Sequence, residues 1–143
     1  MKEEKELEVR VNLHGNEELE QHGNWIDLAT AEDVNLIAGE FKIISLGISM
    51  ELPKGWYAEV LPRSSTFKRY GVFMVNGMGI IDNNYCGDND VWGFPAFATR
   101  TIFIPKGTRI AQFQVVKGMP KVRFTFVEQL GNADRGGFGS SGT

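Results

Sequence analysis

The sequence predicts an all-β protein, and three observations carry that reading. Short apolar stretches recur at regular spacing, each bounded by turn-forming residues, the pattern of a sandwich or barrel of short strands. Two segments, one near each end, alternate apolar and polar residues with the period of a half-buried strand. No segment sustains the period of an amphipathic helix.

Taken in order, Leu7, Val9, Val11 and Leu13 alternate with Glu8, Arg10 and Asn12, a first strand. The stretch from His14 to Asn24 is polar and contains glycine, a loop. Apolar runs follow at Trp25–Ala29, Val34–Ala38, Phe41–Leu52 and Trp56–Leu61. Ser64–Tyr70, entered by serine and followed by Gly71, is the best helix candidate, one or two turns long. Further runs lie at Val72–Val75, Ile80–Ile81, Phe94–Ile104 and Thr108–Val116. Pro-Lys-Gly stands twice between runs, at Pro53–Gly55 and Pro105–Gly107, and proline with glycine marks turns strongly. Val122, Phe124 and Phe126 alternate with Arg123, Thr125 and Val127, a last strand. Residues 1–130 therefore read as one β domain. Residues 131–143 are polar and Gly-rich without a strand pattern, an arm that is mobile unless something orders it.

Composition narrows the function. The 143 residues are 42% hydrophobic and 23% charged, ordinary for a globular domain and wrong for a disordered one. Seventeen glycines, about 12% of the chain against roughly 7% on average, come without a repeat and point to tight turns and close backbone approaches. A net charge of −3 argues against a general nucleic-acid binder. The lone Cys86 has no partner for a disulfide or a zinc site. The N-terminus, from Met1 to Glu6, is charged with no apolar stretch behind it, and no apolar run is long enough to span a membrane. A soluble, reduced, cytoplasmic protein is the expectation.

With two histidines and one cysteine there is little room for a Ser-His or Cys-His nucleophile. His14 and His22 lie in a polar loop and read as solvated surface residues. No carboxylate or histidine cluster suggests a metal held by protein alone, whereas Mg²⁺ carried by substrate phosphates needs only one or two carboxylates. Leu61-Pro62-Arg63-Ser64-Ser65-Thr66 puts a guanidinium and three hydroxyls at the start of a helical turn. That is either a phosphate cradle or plain N-capping by Ser64 or Ser65. Asp82 follows two apolar residues and precedes Asn83-Asn84, as at the tip or arm of a hairpin. It suits a general base, with a turn-former the plainer reading of the residues alone. Gly137-Phe138-Gly139-Ser140-Ser141-Gly142 spells G-x-G-x-x-G without the strand and helix of a dinucleotide site. What remains is a run of N–H groups and hydroxyls able to wrap an anion, or a frayed tail.

In order, these segments resemble the five motifs of the trimeric dUTP diphosphatase (dUTPase) family. Ile26-Asp27-Leu28-Ala29 with Leu46-Gly47-Ile48-Ser49-Met50-Glu51-Leu52-Pro53 is similar to the first, and Pro62-Arg63-Ser64-Ser65 to the second. Asn76 through Asp88 resembles N-S-P-G-x-I-D-x-x-Y-x-G-E, and Gly107-Thr108-Arg109-Ile110-Ala111-Gln112-Phe113 resembles G-D-R-I-A-Q-L. Arg135 through Gly142 is similar to the fifth. Five motifs in order and spacing, from Trp25 to Thr143, make a specific match.

The resemblance implies a homotrimer of distorted β jelly rolls (the β-clip architecture) with active sites at subunit interfaces. It implies Mg²⁺-assisted hydrolysis of dUTP to dUMP and diphosphate, which keeps uracil out of DNA and supplies dUMP for thymidylate synthesis. By motif position, Asp82 is the general base and Tyr85 packs on the deoxyribose, refusing UTP. Asn76 and the backbone from Gly79 through Ile81 to Asp82 pair with uracil, too closely for thymine's methyl. Arg63, Ser64, Ser65 and Gln112 hold phosphates. Arg135, Ser140 and Ser141 close over the γ end, Phe138 stacks on uracil, and Asp27 reaches the metal through water. The chain departs from the family in several places. Gly23-Asn24-Trp25 replaces Ala-Gly-Tyr, Gly77-Met78 replaces Ser-Pro, Asp88 replaces Glu and Thr108 replaces Asp. The fifth motif is shortened, so Phe94 stands level with Phe138 as the aromatic lid, with Trp92 third. A core or interface place for Trp92 and Phe97 is weighed above a site role. The nearest other enzyme is a dCTP deaminase of the same fold, which shares Arg-Ser-Ser. A phage-type member that also binds a repressor protein is the other alternative, with Asn89–Pro95 a natural contact loop.

Overall fold

The computed structural model describes residues 5–137. Phe138, Ser140 and Ser141, to which the resemblance assigns roles, lie outside the described residues.

Nearly every element is a strand: β1 (Arg10–Asn12), β2 (Gln21–His22), β3 (Trp25–Ala29), β4 (Val34–Leu36), β5 (Phe41–Ser45), β6 (Ser49–Glu51) and β7 (Trp56–Pro62). After the short helix α1 (Thr66–Tyr70) come β8 (Val72–Met74), β9 (Gly79–Ile81), β10 (Gly93–Ala98), β11 (Ile102–Ile104) and β12 (Arg109–Lys117). They form four antiparallel sheets: β1-β6, β5-β10-β8, β11-β4, and β2-β3-β12-β7-β9. The sheets close as a distorted jelly roll over one core that includes Leu28, Val34, Ile44, Val60, Phe94, Ile104 and Phe113. Each such side chain contributes roughly 1.5–3 kcal/mol by leaving water.

Pleating sorts the residues. On β7, Ala58 and Val60 point into the core, and on β12 so do Ala111 and Phe113. The opposite face of the same sheet carries Asp27, Gln112 and Leu61 abreast, then Gln114, Glu59 and Ile80, then Val116 and Tyr57. That face holds the candidate site.

Four expectations are corrected. Phe41–Leu52 and Phe94–Ile104 are each two strands, because the chain leaves one sheet and enters another partway. In the first, Gly47 makes the crossing at φ +70°, and a Cβ there would come within 2.6 Å of Ala31 Cβ. The first strand is confined to Arg10–Asn12, since its partner β6 is only that long. Val122–Val127 is not a strand: no ladder partner lies beside it among the described residues, and Phe124 and Phe126 are 75% and 92% exposed. Alternation marks a segment able to pair, and pairing needs an edge. The hairpin expected around Asp82 is not one either, for β9 pairs only with β7 while β8 and β10 pair with each other. Residues 75–78 are an arch between two sheets.

No helix among the described residues is long and apolar enough to cross a membrane.

Candidate active site

One end of the site is built where β7 runs into α1. Thr66, 1% exposed, donates its hydroxyl to the Ile110 carbonyl at 2.6 Å and accepts the Arg63 N–H at 3.1 Å. The turn is thereby fastened to β12 by Thr66, and not by the serines before it. Ser65, at the N-cap position, makes no side-chain cap hydrogen bond, and Ser64 is exposed. Plain capping therefore does not account for Ser64 and Ser65, whose hydroxyls are left for a ligand. Thr66→Val keeps the shape and removes both hydroxyl bonds, leaving the Arg63 N–H and the Ile110 carbonyl with their own 3.2 Å bond to each other. The expected result is about 0.5–1.5 kcal/mol of lost stability, read as a lower midpoint in urea with an unchanged slope.

Beside this turn, Asp27 on β3 sits between two guanidiniums. Arg63 Nε lies 3.3 Å from one carboxylate oxygen and Arg109 Nη1 3.6 Å from the other. Arg63 also donates to the Arg109 carbonyl at 3.3 Å. Such part-exposed pairs add little stability, but they aim both cations at one place. Gln112 donates its Nε2 to the Pro62 carbonyl at 3.1 Å, so its amide is held level with Arg63. One carboxylate between two arginines leaves net positive charge facing hydroxyls, a site suited to a polyanion.

The other end lies around β9, an edge strand. Its Gly79 is pressed against β7, where a Cβ would meet Val60 Cβ at 3.1 Å. Its far edge pairs with no strand among the described residues, leaving backbone donors and acceptors for a flat heterocycle. The chain continues into Asp82, whose carboxylate accepts the Asn83 N–H at 2.8 Å while its carbonyl accepts the Tyr85 N–H at 3.1 Å. The Tyr85 hydroxyl donates to the Val91 carbonyl at 3.3 Å. Asp88 pins the loop to β1 and β6, accepting from Asn12 Nδ2 and from the Ser49 hydroxyl, each at 3.1 Å. A pocket of about 280 Å³ is lined by Ile81, Asp82, Tyr85 and Trp92 among others.

Midway along the face the Tyr57 hydroxyl donates to Glu59 at 2.9 Å, and this bond to a carboxylate holds the phenol's pKa above its ordinary value.

The residues expected at the site thus fall into two groups. Asp27, Arg63, Ser64, Ser65 and Gln112 come together, and Gly79, Ile81, Asp82 and Tyr85 come together. Ile81 pairs with Ala58, which sets Asp82 level with Tyr57. Six residues of β7 then separate it from Arg63, roughly 20 Å at the strand rise. Asn76 is exposed in the arch before β9, and Arg135 is exposed beyond β12. Phe94 is corrected: it is 0% exposed, since Phe94, Ala96 and Ala98 share the inward face of β10. Its ring is core and does not stand over the pocket. Trp92 is buried as well, against Phe113 at 5.1 Å. Arg109 and Thr66 carry roles that went unassigned in the sequence. Arg109 lay inside the fourth motif, and Thr66 directly follows the two serines.

Comparison with known proteins gives the family. The dUTPase family profile matches residues 25–142. The SPbeta prophage-derived deoxyuridine 5'-triphosphate nucleotidohydrolase YosS of Bacillus subtilis (strain 168) is 53% identical over 138 residues, covering 96% of this chain and 93% of that protein. A deoxyuridine 5'-triphosphate nucleotidohydrolase of Thermobifida fusca (strain YX) is 37% identical over 118 residues, 81% of this chain and 65% of its own. Among solved structures, the Staphylococcus bacteriophage 80alpha dUTPase with dUPNHPP superposes with a TM-score of 0.79 at 21% identity, over 95% of this chain and 99% of that one. The Streptococcus mutans dUTPase gives 0.70 at 18%, over 80% and 98%. At those identities the structures speak for the fold, while the profile and the sequence relatives speak for descent: this chain belongs to the dUTPase family.

Proposed function

We propose that the chain hydrolyses dUTP to dUMP and diphosphate, with Asp82 as general base. The observation that carries the reading is the free edge of β9 leading straight into Asp82 and Tyr85. A uracil ring presents one donor between two acceptors and pairs with such an edge as a strand would. Tyr85 then meets the sugar, where a ribose hydroxyl would collide. Asp82 takes a proton from water as the oxygen attacks the α-phosphorus, and the bond to the bridging oxygen breaks to release diphosphate. Arg63, Arg109, Ser64, Ser65 and Gln112 hold the phosphates and meet charge as it develops on the leaving oxygen.

These two groups cannot serve one substrate within one chain, since roughly 20 Å of β7 lies between them and both must touch the same α-phosphate. Two copies meeting across this sheet face bring the Asp82 end of one to the Arg63 end of the next. A closed ring of three satisfies every copy equally. The alternating segment Val122–Val127, exposed and without a ladder partner among the described residues, supports assembly too, because a neighbouring copy can supply an edge. Arg135, and beyond the described residues Phe138, Ser140 and Ser141, then close over the nucleotide. With Phe94 and Trp92 in the core, Phe138 is the aromatic lid we favour. Residues 131–143 act as that lid and residues 1–130 as the body.

No group of three or more His, Cys, Asp or Glu able to hold a metal occurs among the described residues, and Asp27 is already paired. Such a donor set suits Mg²⁺ that arrives on the triphosphate and keeps its waters, with Asp27 the carboxylate at hand. When bound, the ion neutralises phosphate charge and holds the triphosphate in one shape.

A cytoplasmic setting suits the reduced Cys86. A repressor-type protein partner, if the chain has one, would not find the loop we expected. Asn89–Pro95 carries Trp92 and Phe94 inward, and the exposed stretch is Asn84–Asn89. Deleting Asn89–Pro95 would remove core residues, so surface changes at Asn84 and Asn89 are the usable probe.

The test is diphosphate release with Mg²⁺ from dUTP beside dCTP, dTTP and UTP. Selective turnover of dUTP is expected. Ammonia release from dCTP would move the chain to the deaminases, and equal turnover of UTP would remove the role given to Tyr85.

A further inference from the structure

Residues 83–91 include Asn83, whose N–H aims the Asp82 carboxylate, and Tyr85. Most of their hydrogen bonds stay local. Gly87 and Asp90 bind each other, the Tyr85 N–H returns to the Asp82 carbonyl, and the Tyr85 hydroxyl reaches Val91. Among the described residues, the hydrogen bonds that tie this stretch to more distant parts of the chain are both made at Asp88. What holds Asp88 therefore governs how the stretch presents Asn83 and Tyr85.

Two bridges hold it. Asn12 Nδ2 donates to the Asp88 carboxylate, and the Ser49 hydroxyl donates to the Asp88 carbonyl, each at 3.1 Å. Ser49 is 2% exposed on β6, and a hydroxyl has one proton to give. A carbonyl only accepts, so that proton belongs to the bond with Asp88. The 2.9 Å contact between Ser49 and His14 Nε2 is then donated by the imidazole ring. The neutral Nε2–H tautomer and the imidazolium both meet that demand. His14 also gives its backbone N–H to Asn12 Oδ1 at 2.9 Å. One residue thus orients both groups that hold Asp88. Its backbone is unusual too: among the described residues His14 is the one non-glycine in the left-handed region, at φ +49°. Such a conformation persists where the surroundings over-determine it, and here those contacts converge on Asp88.

We infer that His14 is a positioning residue for hydrolysis, acting through Ser49 and Asn12 on Asp88 and so on the stretch that aims Asp82. The inference rests on the reading of Asp82 as general base. It brings in a residue that stands before residue 25, where the match to the family profile begins.

His14→Gly removes the ring and suits the left-handed backbone, so it separates the bond from the strain. Its melting temperature should stay within about 3 °C of the parent. Its kcat for dUTP should fall about 5- to 30-fold, less than the roughly 100-fold that a displacement of about 1 Å can cost. Kd for α,β-imido-dUTP, measured by calorimetry on the full chain, should stay within about threefold, because the β9 edge and the Arg63 end lie outside the stretch. His14→Gln puts an N–H donor back at similar reach and should return kcat to within about threefold of the parent.

Ser49→Ala cuts the same path one step later and should lower kcat by a similar factor. The double variant should lose no more than the worse single one, since two residues on one path do not add. Losses that multiply would mean independent effects and overturn the relay. So would a His14→Gly variant with kcat within about twofold of the parent, or a loss that His14→Gln leaves in place. A fall in binding as large as the fall in kcat would also overturn it, as the mark of general loosening. An Asp82→Asn variant that still turns over dUTP sinks the reading beneath, and the inference with it, whatever the His14 variants do.

Discussion

Asp82→Asn lowers kcat for dUTP about 10³- to 10⁴-fold, the upper range for loss of a positioned general base, while Kd for α,β-imido-dUTP stays within about threefold. The asymmetry follows from what the substitution keeps. Asparagine has the size of aspartate, and its amide oxygen still accepts the Asn83 N–H that holds the side chain at 2.8 Å in the parent. The Tyr85 N–H bond goes to the Asp82 backbone carbonyl, which the change does not touch. Loop shape, the β9 edge and the ring of Tyr85 are therefore preserved. What is lost is the capacity to take a proton from water. A neutral amide cannot become the conjugate acid at neutral pH, so water must attack with its proton in place. Stopped-time diphosphate release gives kcat, and calorimetry with the analogue gives Kd. A variant that retains more than about a tenth of parent kcat would return Asp82 to the role of turn-former. A variant that loses binding and turnover together would show the carboxylate to be structural.

How far the sequence could foresee this depends on what each residue's neighbours are. β7 and β12 were legible because each is an apolar run that follows a Pro-Lys-Gly turn, and both lie in one sheet from end to end. The loop from Asp82 to Asp88 was legible through its motif, and its tethers to Asn12 and Ser49 come from residues more than thirty positions away. Phe94 shows the limit. An aromatic residue close after the Asp82 loop suits a lid as well as a core, and only the parity of β10, with Ala96 and Ala98 inward beside it, decides. Thr66 shows another. Three hydroxyls in a row all read as caps or as ligands, and the carbonyl that selects Thr66 belongs to Ile110, forty-four residues on. The arch over 75–78 and the crossing at Gly47 were hidden for the same reason, since a run of apolar residues looks alike whether it stays in one sheet or passes between two. Val122–Val127 was read as a strand from a pattern that is present, with no ladder partner among the described residues.

That last point and the separation within the site lead to the experiment with the sharpest outcome. Chains carrying Asp82→Asn and chains carrying Arg63→Ala should each be nearly inactive alone, and co-assembled in equal amounts they should recover about one quarter of parent activity. The arithmetic follows from closed symmetry. If every site takes Asp82 from one copy and Arg63 from another, random mixing gives each group a chance of about one half of being intact, and about one quarter of sites have both. If the site lies within one chain, no mixture of these two variants contains a complete site, and no activity returns. The reciprocal mixture closes the remaining gap. A chain carrying both changes, co-assembled with the parent, should also leave about one quarter of sites intact across an interface, but about one half within a chain. Arg63 is part exposed and its ion pair with Asp27 contributes little to stability, so both variants should assemble like the parent, which sedimentation checks before activity is read. Recovery in the first mixture and a quarter in the second would require that Asp82 and Arg63, held roughly 20 Å apart along the length of β7 in each chain, meet only because another copy is there.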